Sequence, residues 1–222
     1  MNTATIAGRP DLLRRLHHVD PYEGFDPSPW PLDLQGWNGQ NPFFGELIAA
    51  LDPKLVIEVG TWKGQSAVTM AKALQLRGPG RALVCVDTWL GAVEFIGKHD
   101  DPERALGMTH GYPSVYYQFL ANVVHEACDD VIVPFAQTSV NAARWFLQHG
   151  VQADLIYIDG SHEENDVFLD LTYYWQVAKP GAVLFGDDLG WAGVHAAVAA
   201  FAAQNGIDWR TRDGNYWVMQ KG

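Results

Sequence analysis

The chain has 222 residues, 48% of them hydrophobic and 18% charged, with a formal net charge of -11. This composition excludes a disordered chain, and the length suits one domain with a sizeable core. Fifteen Lys and Arg without a basic run give no footprint for nucleic acid, and no apolar run of about 18 or more residues exists to span a membrane.

The first residues lack the charged-then-apolar pattern of a secretory leader, and Cys85 and Cys128 are too few for a disulfide framework. A reduced, cytoplasmic protein is expected. Residues 1–40 show little periodicity. Their stretch PYEGFDPSPWPLDLQGWNGQNP is rich in Pro, Gly and Trp and reads as an ordered extension that packs on the domain or lines an acceptor site.

The domain is expected over 41–222. A short helix, FFGELIAAL, leads into the strand KLVIEV, and the helix GQSAVTMAKALQL follows. The turn RGPGR opens the strand ALVCVD. A polar, turn-rich segment comes next, and residues 88–118 are a candidate lid. The helix SVYYQFLANVVHEA, the strand DVIVPF and the helix TSVNAARWFLQHG then alternate. The strand ADLIYID precedes the helix ENDVFLDLTYYWQVA. The turn KPG opens the strand AVLFGDD, and the helix AGVHAAVAAFAAQNG follows. The segments IDWRTR and YWVMQ, joined by DGN, read as an antiparallel hairpin. Continuously apolar strands alternating with helices predict an α/β fold: a doubly wound, mostly parallel seven-stranded sheet closed by that hairpin.

Ligands of such sheets bind beyond the carboxyl ends of the strands. The first strand ends in EVGTWKGQS, where Glu58, Gly60, Thr61, Trp62, Gly64 and Ser66 are candidate cofactor contacts. Glycines there allow a sharp turn and close approach of a ligand to the backbone. The spacing is not the G-x-G-x-x-G of a pyrophosphate loop. Asp87, just over twenty positions past that loop and followed by Thr88 and Trp89, is placed to accept ribose hydroxyls. NAD enzymes use the same device, so Asp87 points to a nucleoside without choosing the cofactor. Gln137, Thr138 and Ser139 follow the third strand, where an adenine edge is met; the two hydroxyls also suit a helix cap.

Asp159 ends the fourth strand within IDGSH, and Asp187 and Asp188 end the fifth within FGDD. Asp159 is a candidate for both the cofactor and the metal. Three carboxylates above one sheet edge repel unless protonated or neutralised, and a hard divalent cation, Mg2+ or Mn2+, is the simple solution. The alternative is a helix cap and a solvent-facing acid. His162, three residues past Asp159, is a candidate general base.

The segments VIEVGTWKGQSAVTMA, CVDTWLG, DLIYIDGSH and KPGAVLFGDD, with AGVHAAVAAF after them, resemble the class I methyltransferases of the macrocin O-methyltransferase and cephalosporin hydroxylase group. The resemblance covers roughly residues 41–220. It implies S-adenosylmethionine as cofactor, magnesium on Asp159, Asp187 and Asp188, and His162 as general base. The implied partner is a small-molecule acceptor, a sugar or natural-product hydroxyl; homo-oligomerisation stays open. The first forty residues and the 88–118 segment match no pattern of the group. Two other readings stand beside methyl transfer. One is a metal-dependent hydroxylase or other oxidoreductase on the same fold; the other is a non-catalytic nucleoside-binding subunit.

Overall fold

The computed structural model describes residues 8–222. Short runs of Val, Ile and Leu form strands β1 (Leu55–Val59), β2 (Ala82–Asp87), β3 (Ile132–Ala136), β4 (Ala153–Ile158) and β5 (Ala178–Gly186). The hairpin supplies β6 (Trp209–Arg212) and β7 (Tyr216–Gln220). All seven join one sheet in the order β3-β2-β1-β4-β5-β7-β6. β1 to β5 pair in parallel, and β7 pairs antiparallel with both β5 and β6. The order reverses beside β1, which opens a crevice between β1 and β4 at the carboxyl edge.

Period-2 alternation along the strands sends side chains to two faces. Val56, Leu83, Cys85, Tyr157 and Phe185 pack beneath α2 (Pro42–Leu51), α3 (Gln65–Gln75) and α4 (Val115–His125). Ile57, Val84, Val133, Ile156 and Leu184 face α5 (Ser139–Gln148), α6 (Glu164–Val177) and α7 (Ala192–Asn205). Strands buried on both faces need no polar side, which is why their sequences are continuously apolar. No helix among the described residues is long and apolar enough to cross a membrane.

Two local features differ from the sequence expectation. The KPG turn lies inside β5 rather than before it: Gly181 takes φ +81° and the β4–β5 register shifts between Ala153 and Leu155. Residues 9–16, read as aperiodic, form α1 (Arg9–Leu16), an eight-residue helix whose one buried side chain is Leu12. Arg9 Nε donates to the Ile132 carbonyl (3.3 Å), and His17 Nε2 lies 2.7 Å from the Pro134 carbonyl, so this end of the chain covers the outer edge of β3.

Residues 17–41 run on past α4, and Gly36, Trp37 and Asn38 reach the cleft. Asn122, fully buried on α4, donates from Nδ2 to the carbonyls of Asp33 (2.6 Å) and Lys63 (2.8 Å). Lys63 Nζ meets Asp33 Oδ2 at 2.7 Å. Of the expected lid segment, Trp89 and Leu106 are buried anchors, while Val93 and Ile96 are exposed.

Candidate active site

The chain leaves β1 through a turn that only glycine fits. Gly60 has φ +83°, and a Cβ there would sit 1.9 Å from the Asp159 carbonyl oxygen. Beneath this turn lies Glu58, fully buried within the strand. Its carboxyl accepts from Ser66 Oγ, from Thr61 Oγ1 (3.0 Å) and from Cys85 Sγ (3.4 Å). Burial pushes Glu58 up to about 7, against the lowering effect of those donors. Glu58 therefore braces the loop from below and does not line the cleft. Gly64 does not line it either: a Cβ there would meet the Phe119 ring at 2.9 Å, so this glycine serves helix packing. Neither residue is part of the cleft wall.

Asp87 ties the ends of β1 and β2 together. Its Oδ2 accepts the backbone N–H groups of Thr61 (2.8 Å) and Trp62 (2.9 Å), and Oδ1 accepts that of Trp89 (2.7 Å). It is thus a structural acceptor as well as a residue of the cleft wall. After β3, Thr138 caps α5 by accepting from the Asn141 N–H (3.3 Å). Below this cap the sequence reading missed Asp170 of α6, buried and raised by desolvation to about 7.

At the β4–β5 end, one ligand atom each from Asp159, Asp187 and Asp188 lies within 4.8 Å of the others. Burial, then the charges of Asp187 and Asp188, push Asp159 well above the usual carboxylate range. Burial and then Asp188 raise Asp187 to about 6. Asp187 is 3% exposed, and its Oδ1 has no hydrogen-bond partner among the described residues. An orphaned, buried oxygen amid crowded carboxylates is the donor set a hard divalent cation requires. The residues fit that ion.

His162 sits against this cluster. Its Nε2 lies 3.0 Å from Asp188 Oδ2 and its Nδ1 2.9 Å from Glu94 Oε1, and the ring stacks on Trp191 (4.4 Å, 7°). Asp188 foremost, and Glu94, raise its affinity for a proton. Sequence spacing alone gave His162 one neighbour; the fold gives it two carboxylates and an indole.

One cleft of about 1130 Å³ joins both ends. Gly60, Thr61, Trp62, Ser66, Asp87, Thr88, Trp89, Gln137, Thr138, Ser139, Asp159, His162, Asp187 and Asp188 all line it. The residues the sequence did not reveal form its outer wall. Trp37 from the N-terminal segment meets Trp62 (6.4 Å) and Phe95 (6.0 Å), with the Arg104 guanidinium over its ring at 5.5 Å. Asn38 Nδ2 reaches Asp187 Oδ2 at 3.4 Å. The richness of residues 21–42 in Trp, Gly and Asn was the available signal; their targets were not.

Known proteins share this architecture. The O-methyltransferase of Bacillus cereus, solved in complex with SAH, is 13% identical with a TM-score of 0.56, covering 94% of this chain and 90% of its own. TomG of Streptomyces achromogenes, an O-methyltransferase involved in tomaymycin synthesis and solved with SAM, is 15% identical with a TM-score of 0.59, covering 95% and 94%. CalS11, a calicheamicin methyltransferase, is 18% identical with a TM-score of 0.58, covering 95% and 96%. These likenesses establish the class I methyltransferase fold. In sequence, an uncharacterised protein of Sinorhizobium fredii, y4gI, is 27% identical over 177 residues; these are 79% of this chain but 16% of that much longer protein. The family described as "Methyltransferase domain" matches residues 57–189, more than half of the chain, and the chain belongs to that family.

Proposed function

We propose that this chain is an S-adenosylmethionine-dependent methyltransferase that methylates an oxygen of a small-molecule acceptor, with Mg2+ or Mn2+ held by Asp159, Asp187 and Asp188. The observation that carries the reading is continuity. A single cleft runs from the glycine turn and Asp87 to the carboxylate cluster and His162. Its volume exceeds the roughly 300–1,000 Å³ of a typical one-ligand pocket, as a cofactor beside an acceptor requires.

When bound, the cofactor supplies an electrophilic methyl group and the cation supplies positive charge to the acceptor oxygens. The chain's own residues do the rest. Gly60 and Thr61 bring the β1 turn to the cleft wall, and Gln137, Thr138 and Ser139 offer polar edges to the nucleoside. Glu94 on Nδ1 and Asp188 on Nε2 hold the His162 ring against the carboxylate cluster; with Asp188 engaged by the cation, Nε2 would be free to take the acceptor proton. Trp37, Phe95 and Trp191 offer an apolar wall to the acceptor. Holding acceptor and cofactor in line supplies much of the rate. The tomaymycin and calicheamicin roles named for two structural neighbours support a natural-product acceptor, and a sugar hydroxyl suits the same cleft.

The test is thermal unfolding with S-adenosylhomocysteine, with and without Mg2+. At about 100 times its dissociation constant the ligand adds roughly 2.7 kcal/mol to stability. A shift with this ligand, increased by Mg2+ in the wild type and not in Asp188→Ala, is the expected result. A shift with nicotinamide cofactors instead would sink methyl transfer in favour of an oxidoreductase.

A further inference from the structure

Beneath the carboxylate cluster lies a residue that the reaction does not touch. Tyr157 of β4 precedes Asp159, the residue just past the strand's end, by two positions, and the Asp159 N–H still bonds the Val59 carbonyl (2.7 Å), so both side chains leave the same face. Its ring is fully buried, set edge-on to Phe44 (5.0 Å) and stacked on Phe185 (4.8 Å, 28°), its register partner on β5. Phenylalanine would fill that space. The hydroxyl that tyrosine adds donates to Asp159 Oδ2 at 3.0 Å. A buried hydroxyl costs free energy unless it is bonded, so this one is placed for its acceptor.

We infer that Tyr157 is a positioning residue of the cation site: its hydroxyl holds the Asp159 carboxyl in the orientation in which it meets Asp187 and Asp188. The ring cannot swing, because two aromatic neighbours clamp it, so the donor is fixed in space before any ion arrives. Asp187 takes a longer contact from Asn38 on Oδ2 and lies within the influence of the same phenol, while its Oδ1 is orphaned. Asp159 thus has a fixed donor on one oxygen, while one oxygen of Asp187 has none. Partners that hydrogen-bond to metal ligands typically govern about 10–100-fold of metal affinity.

The inference rests on the proposed cation site, and the experiment separates the two. Mn2+ binding is measured by electron paramagnetic resonance on the whole chain saturated with S-adenosylhomocysteine, for wild type, Tyr157→Phe and Asp159→Ala. The expected result is Mn2+ binding by the wild type, none by Asp159→Ala, and a roughly 10–100-fold weaker affinity in Tyr157→Phe. The affinity of Tyr157→Phe for S-adenosylhomocysteine without metal falls much less than its Mn2+ affinity, since of that cofactor's expected contacts only Asp159 touches the phenol. Unchanged Mn2+ affinity in Tyr157→Phe overturns the inference. An equal loss of cofactor and metal affinity overturns it too, by making the hydroxyl a general brace. A wild type that binds the cofactor but no Mn2+ removes the cation site itself, and this inference with it.

Discussion

Along the carboxyl edge of the sheet, the β1–β2 half holds Glu58 and Asp87, and the β4–β5 half holds Asp159, Asp187 and Asp188. Glu58 accepts from Ser66, Thr61 and Cys85, and Asp87 accepts from three backbone amides. In the second half the carboxylates face one another, and one buried oxygen has no donor. Side chains whose lone pairs are filled from within the chain are architecture. Those left crowded and short of donors are where the fold keeps room for something from outside.

The sharpest way to break this comparison is to neutralise one acid in each half. Asp187→Asn should cut methyl transfer by about 1,000-fold, the several kcal/mol a metal-polarised oxygen loses with its ion. In metal-free buffer the same variant should unfold at a higher temperature than wild type, because a buried carboxylate disfavoured by desolvation and by Asp188 is gone. Asp87→Ala should do the reverse, lowering stability by about 2 kcal/mol as amides lose their acceptor. Melting curves of both variants without metal decide the matter; shifts of the same sign would erase the distinction.

Glu58 sharpens it through pH. Its folded value, about 7, lies above the ordinary glutamate value near 4.3, so between them the folded state binds the extra proton. Stability on this account is therefore fullest below the ordinary value and falls as pH rises through 7, by up to about 3 kcal/mol. Urea unfolding of Glu58→Gln from pH 5 to 8 should show a flatter profile, with Asp170 and Asp187 keeping their own shares.

Next in size, His162→Ala should lower turnover by about 100-fold, a typical loss for a general base, while S-adenosylhomocysteine affinity in calorimetry barely changes. Weakened cofactor affinity would move His162 to the nucleoside end. Smallest, Thr138→Ala should cost about 1 kcal/mol as an N-cap, and Thr138→Ser should restore it. A loss of cofactor affinity instead of stability would make Thr138 a ligand contact.

What the sequence made legible follows from distance along the chain. Strands and helices announce themselves within windows of about ten residues, and the residue after each strand is fixed once the strand is found. Gly60, Asp87, Asp159 and Asp187 were legible for that reason. Glu58 lies inside the strand, and the nearby hydroxyls of Thr61 and Ser66 were the sign that it had internal donors. Gly64 was read as ligand space because Phe119, which needs the room, lies on another helix. Trp37, Asn38 and Glu94 reach the cleft from aperiodic segments, and nothing local encodes where such segments land. The helix at residues 9–16 hides because a single buried leucine sets no period.

That first helix also matters for what the protein does in company. The outer rim of β3 presents the carbonyls of Ile132 and Pro134, and Pro134 has no N–H to offer there. Arg9 and His17 occupy those carbonyls. A bare edge strand can pair with a stranger's backbone, and here the missing Pro134 N–H and the two occupied carbonyls both blunt it. The segment thus acts as a sacrificial neighbour, saturating in advance the valences through which copies of the chain would otherwise stack, and its loss would be felt first as turbidity rather than as lost catalysis.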